Sequence, residues 1–366
     1  MKRRQKRFLL SNHSGVIMIV SLWILIILSI LAVGLGRRTR INLTLAKYSV
    51  AKTQSDYLAW AGINYALNQI TNSALNETDN QVDTLYYCGI YPNEENEFES
   101  NFQDVKLESG DFRIGYFINS TEGQDEDFCY ALEDESRRIN INALNIQNYK
   151  AFSYLLGFLG VEASFADEIS FSLVDWRDSD DEASGLSSSG EDDFYMSKNP
   201  PYHCKNSNFD SIEELLLIKS IDLEMFKKLK KYVTIFPKQD NDLFININTA
   251  SEIVLKSFFY ASVEDNPNAS FADVDSLIAK IINYRQGSDG RPCTSDDQTI
   301  VRTDLSSLAL NSIEQVIFLN ASGKIKEKAD FYRIHSIGKS FFLSVSSKIE
   351  TVVSKESLSI GFWSQK

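Results

Sequence analysis

The chain has 366 residues, 50 acidic against 37 basic side chains, a formal net charge of −13 and 43% apolar residues. That acidic balance excludes a nucleic-acid partner, because phosphates demand a basic face. Its four cysteines and three histidines show no CxxC or zinc-ligand spacing, so composition supports neither metal-finger nor dithiol chemistry.

Residues 1–15 form a basic leader in which Lys2, Arg3, Arg4, Lys6 and Arg7 supply every charge. Removing it leaves 32 basic and 50 acidic residues, a net charge of −18. Val16 to Gly36 is uncharged and apolar, and its 21 residues span about 30 Å as a helix, the hydrocarbon thickness of a bilayer. The block is too long for a secretory signal, and Arg37-Arg38-Thr39-Arg40 follows where a cleavage site would stand. The basic leader predicts a cytoplasmic N-terminus, with the rest of the chain across the membrane. A plain anchor explains these points, but not the polar segment ending at Gly15.

Helical patterning continues over residues 37–72, with no proline and only Gly62. Ile41, Leu45, Tyr48, Leu58, Ala61 and Tyr65 give an apolar stripe, and the many small residues suit packing on a sheet. The two parts together predict one helix of about 55 residues, about 80 Å long. Residues 73–138 read as the first part of a sheet domain, with a hairpin of Phe112–Asn119 and Phe128–Asp134.

Residues 139–326 read as helical. The spacing predicts helices over Tyr149–Leu159, Ser164–Val174, Ser211–Lys219, Leu223–Tyr232, Ser251–Phe259, Val274–Arg285 and Ser312–Asn320. Ser211 with Glu214 and Thr249 with Glu252 carry capping-box signatures. Arg138-Ile-Asn-Ile-Asn142-Ala143-Leu144 recurs as Phe244-Ile-Asn-Ile-Asn248-Thr249-Ala250, an internal repeat. The second copy resembles the entry to a DNA-binding helical hairpin. The nearest hairpin, Ile218–Ile221, lacks that motif's glycine, and the charge is wrong.

Residues 327–353 return to alternation, with Phe331–Ile337, a turn at Gly338-Lys339 and Ser340–Val353; residues 354–366 stay unassigned. The fold class is therefore α+β: a long spine helix on a small antiparallel sheet, with an α-helical domain inserted between strands.

Asp175, Asp178, Asp180, Asp181, Glu182, Glu191, Asp192 and Asp193 place eight carboxylates in 19 residues, joined by a Gly/Ser linker. Ca²⁺ accepts such irregular oxygen ligands and would relieve their repulsion, while a solvated acidic loop is the alternative. Asp289, Asp296 and Asp297 form a second candidate, readable equally as a turn plus a helix cap. Cys88, Cys129, Cys204 and Cys293 allow two disulfides in three connectivities; Cys88–Cys129 and Cys204–Cys293 keep each pair local. No nucleophile–base pattern emerges, and the histidines (His13, His203, His335) are scattered.

In this order, the Gly15 junction, the VIMIVSLWILIILSILAVG helix, EDESRRININ (Glu133–Asn142), DWRDSDDE with GEDDFY, SIEELLLIKSID and FININTASEIVL resemble the GspK-type minor pseudopilins of type II secretion systems. The resemblance covers nearly the whole chain. It implies a non-enzymatic assembly protein of the bacterial inner membrane with a periplasmic head, cut after Gly15 and N-methylated at Val16 by prepilin peptidase. It implies a place at the pseudopilus tip, other minor pseudopilins as partners, and Ca²⁺ in the inserted domain. Pilins usually carry Glu at the fifth mature position; here it is Val20, as in this family. The alternative is a membrane-anchored periplasmic metal-dependent binding protein or enzyme.

Overall fold

The computed structural model describes residues 14–76, 102–118, 128–180, 182–184, 191–239, 242–264, 266–294 and 296–366. The leader through His13, Cys88 and Asp181 lie outside them.

Helix α1 runs unbroken from Ser14 to Asn76, 63 residues. Its first half is exposed throughout, including Ile41, Leu45 and Tyr48 from the sequence stripe. From Ala51 onward one face is buried: Leu58, Ala59, Ile63, Ala66 and Ile70 are at most 3% exposed. That face packs on an antiparallel sheet of β1 (Val105–Leu107), β2 (Gly110–Ile114), β10 (Phe331–Ser340), β11 (Ser346–Ser354) and β12 (Ile360–Gln365), in that order. Phe112, Ile114, Tyr332, Ile334, Ile349 and Val353 supply the sheet's half of this core. Each such side chain contributes about 1.5–3 kcal/mol of burial.

The helix lies so close that two glycines are required. A Cβ on Gly62 would meet Ser336 Oγ at 2.1 Å, and one on Gly338 would meet the Ala59 nitrogen at 2.2 Å. Gly338 is therefore a strand residue under the helix, not the expected turn; the turn falls after Ser340. The tail left unassigned forms β12, paired with β11.

Among the described residues the expected hairpin pairs only where β3 (Tyr116–Phe117) meets β4 (Phe128–Cys129); Asn119 and the turn, residues 120–127, lie outside them. Its outer arms separate, and both β2 and β5 (Glu133–Asp134) pair with β10.

A second core is built from residues between 139 and 325, joined by Val352 of β11. It comprises α2 (Lys150–Phe158), α3 (Ala163–Asp175), α4 (Asp192–Met196), α5 (Leu223–Leu229), α6 (Glu252–Val263), α7 (Phe271–Arg285) and α8 (Ser312–Ala321). Short parallel pairs close two units: β6 (Ile139–Asn140) with β7 (Val233–Thr234), and β8 (Ile245–Asn246) with β9 (Ile325–Lys326).

The units share one plan, and the sequence repeat opens each. Asn142 Oδ1 accepts the Phe209 N–H at 2.7 Å, as Asn248 Oδ1 accepts that of Ile300 at 2.7 Å. Arg177, after α3, donates to the carbonyls of Ile141 and Leu144; Arg285, ending α7, donates to those of Ile247 and Ala250. These carbonyls occupy matching positions in the two repeats.

Ser211 and Glu214 form their capping box, at the start of a 3-10 turn (Ile212–Leu217). Thr249 does not cap α6. Its hydroxyl donates to Asp134 Oδ2 at 2.7 Å, and the helix starts later, at Glu252. Ser220 in the Ile218–Ile221 hairpin takes φ +66°, the left-handed conformation a glycine usually fills.

Candidate functional site

The first acidic loop leaves the end of α3. Asp175 is fully buried, and its Oδ1 accepts the Ser184 N–H at 2.9 Å. Asp178 Oδ1 is buried with no hydrogen-bond partner. Burial, then the charges of Asp180 and Asp175, push the Asp178 carboxyl up to about 6. Asp180 Oδ1 accepts the Glu182 N–H at 2.9 Å. Glu191, just before α4, is 5% exposed.

Asp192 has its own partners. It pairs with His203 Nδ1 at 2.8 Å and accepts the Cys204 N–H at 2.6 Å, and both hold its carboxyl below the usual range. Glu182 and Asp193 are exposed. Asp178 thus feels the charges of Asp180 and Asp175, while Asp192 is held by His203 and the Cys204 N–H. Cys204 is a buried thiol whose Sγ lies 3.4 Å from the Asp175 carbonyl oxygen; burial pushes it up to about 12.

The second loop satisfies itself. Asp296 accepts from Ser288 N–H and Oγ, each at 2.6 Å, from Asp289 N–H at 3.1 Å and from Thr294 Oγ1 at 2.9 Å. These donors hold its carboxyl well below the ordinary range. Asp297 Oδ2 accepts the Cys293 N–H at 2.7 Å, yet burial dominates and pushes it up to about 6. Asp289 caps the Arg291 N–H at 2.7 Å. Gly287, at φ +61°, makes room for the Asp296 carbonyl, which a Cβ would meet at 2.4 Å. The two loops share no carboxylate contact among the described residues, and no cluster of three His, Cys, Asp or Glu there forms a ready metal shell.

A disulfide joins Cys129 of β4 to Cys293 of this loop, across 164 residues. This corrects both expected pairs, Cys88–Cys129 and Cys204–Cys293. Sequence nearness misled, because the inserted units return residue 293 to the side of β4.

Sequence reasoning missed a buried ionic junction between sheet and insert. Glu133 is paired with Arg138 and Arg137 and accepts from His335 Nε2 at 3.0 Å. Burial alone would raise its carboxyl, but Arg138, His335 and Arg137 together hold it well below the usual value. Arg333 bridges Glu135 and Glu350, and Glu135 also takes Arg138 Nη1 at 3.1 Å. The only signal was the charged run EDESRR leading directly into the apolar ININ. Removing one partner of such a network strands a buried charge, so the junction fixes how the insert meets the sheet.

Comparison with known proteins follows the same outline. Residues 137–238 match the family model described as Type II secretion system (T2SS), protein K. The type II secretion system protein K of Pseudomonas aeruginosa is 31% identical over 134 residues, covering 35% of this chain and 39% of that protein. That of Pectobacterium carotovorum subsp. carotovorum is 32% identical over 170 residues, covering 40% and 51%. The aligned stretches thus span only about two fifths to half of these relatives. A chain of the crystal structure of the GspK-GspI-GspJ complex from the enterotoxigenic Escherichia coli type 2 secretion system aligns with a TM-score of 0.58 at 16% identity. The alignment covers 90% of this chain and 99% of that chain, which shows a shared fold. The resemblance to protein K read from the sequence holds.

Proposed function

We infer that this chain is a minor pseudopilin of the protein K type, working in a type II secretion apparatus as the tip of its periplasmic pseudopilus. One observation carries the reading: α1 passes without a break from an exposed apolar span into the core of a sheet. A tether needs no such continuity; a stacking rod does. The structural relative comes from a GspK-GspI-GspJ complex, which supports two other minor pseudopilins as the partners on this reading. The span lies in the inner membrane, with the N-terminus cytoplasmic and the head periplasmic.

The place of the insert supports the tip position. Gly62 of α1 faces Ser336, and Gly338 faces Ala59, so β10 runs toward the membrane as its numbers rise. The insert joins the sheet near Phe331 and Glu133, at the membrane-distal end. Such bulk leaves room for neighbours below and none above. A first subunit also has no neighbour ahead for a carboxylate at position five to meet, in keeping with Val20.

Co-expression with prepilin peptidase is expected to yield a protein starting at N-methylated Val16, and co-purification is expected to recover two sister pseudopilins. An intact mass retaining residues 1–15, or a head that binds neither sister, overturns the assignment.

We propose Ca²⁺ as a structural ion of the first acidic loop. Asp175, Asp178, Asp180 and Glu191 would hold it. The unpartnered Asp178 oxygen and its raised carboxyl support a missing positive charge. Asp289, Asp296 and Asp297 are already satisfied by their own loop and are not included.

A further inference from the structure

We propose that the membrane-facing end of the head is a docking surface for the anionic bilayer that holds α1. The proposal rests on the membrane-anchored part of the reading above, not on the tip position.

The β10–β11 turn presents Phe341, Phe342 and Leu343 at 57%, 53% and 46% exposure. The Phe341 N–H donates to the Ser109 carbonyl at 3.2 Å, which sets the neighbouring β1–β2 turn and its Leu107, 45% exposed, beside them. Contiguous exposed apolar residues of this size mark a contact surface. Ser340 Oγ donates to Gln54 Oε1 at 2.8 Å, so the turn beyond Ser340 hangs from that level of α1 toward the membrane.

Charge selects the occupant. The chain as a whole is net −13, yet from Arg37 to Asp56 α1 carries five cations against one carboxylate, Asp56, which pairs with Lys52 at 3.3 Å. Lys106, Lys339 and Lys348 stand exposed around the turns, against Glu108 and Asp111. A basic rim around an apolar tip, on an otherwise acidic protein, complements an anionic lipid surface.

The reach is sufficient. From Gly36 to Gln54 the helix climbs about 27 Å. A tip about 10 Å below Gln54 and about 10 Å to one side of the axis comes within about 7 Å of the hydrocarbon edge when the helix tilts by about 40°. That depth is inside the headgroup layer, about 5–8 Å thick. Docking lays the head on the bilayer with its long helix tilted; joining a stack must lift it.

The test uses the full chain in nanodiscs of zwitterionic lipid, with and without about one third phosphatidylglycerol. Amide exchange over residues 339–346 is expected to slow at least threefold in the anionic discs, and to recover in high salt as the charges are screened. A Phe342→Trp variant is expected to gain emission that headgroup spin labels quench at least twofold in anionic discs. Lys339→Glu with Lys348→Glu is expected to abolish both effects. Equal exchange in the two lipids, or an added tryptophan beyond the quencher's reach, overturns the proposal. Protection that arises only after sister pseudopilins are added assigns the surface to a protein and overturns it too. Co-purification with the sisters, a separate measurement, decides the assembly reading independently.

Discussion

Asp178 carries the pH signature of the first acidic loop. Its carboxyl sits at about 6 in the folded chain against an ordinary 3.8. The sign follows from linkage: below both values folded and unfolded forms hold the proton, and nothing is lost. As pH rises through the window between them, the unfolded chain releases its proton first, so the fold loses stability; above about 6 the loss is constant. Asp178→Asn removes that loss. In metal-free buffer it is expected to raise the melting temperature at pH 7.5 and leave it nearly unchanged at pH 3.5. Ca²⁺ is expected to raise the wild-type melting temperature, reversibly with chelator, by binding only the folded state, and to raise that of the variant much less. Identical Ca²⁺ responses would remove Asp178 from any ion site. The sequence made these carboxylates visible as a run. It did not show which would be buried, because burial depends on α3 ending under Trp176 and Tyr195, whose rings meet edge-to-face at 5.1 Å. The cysteine pairing was invisible for the same reason: only the closed fold brings residue 293 to β4.

Among the elements, those governed by local chemistry were legible, and those governed by a distant neighbour were not. The observed α2, α3, α7 and α8 fall close to their expected bounds because apolar spacing and caps are local. Asn311 and Ser270 form capping boxes with Glu314 and Asp273 that a search for Ser/Thr followed by Glu passed over. Gly338-Lys339 has the composition of a turn and yet continues β10. There the helix, not the strand, dictates the residue: α1 crosses so closely that only glycine fits. Gly338→Ala is therefore expected to cost about 1–3 kcal/mol through overpacking. The same change at Gly157, with nothing within 4 Å of its Cβ, is expected to be stabilising because Ala is the better helix former. Urea unfolding of the two variants checks this. Equal midpoints would mean that α1 can move off the sheet without loss. The repeat was legible as seven residues; its extension into two whole units was not, because Arg177 and Arg285 reach back 36 and 35 residues to matching carbonyls.

For the whole molecule, the assembly reading depends on one unbroken rod, apolar and exposed in its first half and buried on a sheet in its second. The exposed apolar half of α1 has no partner among the described residues, so on this reading lipid or neighbouring rods cover it. The buried half is locked to the sheet by Ala59, Gly62, Ile63 and Ala66, so the head cannot swivel freely on the rod. Any force or contact applied to the lower half is transmitted rigidly to the crown. Replacing Val16–Gly36 by an unrelated apolar span of equal length keeps the length and hydrophobicity that hold a helix in a bilayer, and leaves the head's core untouched. A mere anchor survives that exchange. A stacking element does not, since association of helices out of water rests on close side-chain packing rather than on hydrophobicity. The exchange is expected to leave membrane attachment and head stability intact while stopping export of secreted protein and recovery of the sister subunits. Normal export from cells carrying only the exchanged chain would show that the rod is a tether and the crown a separate device.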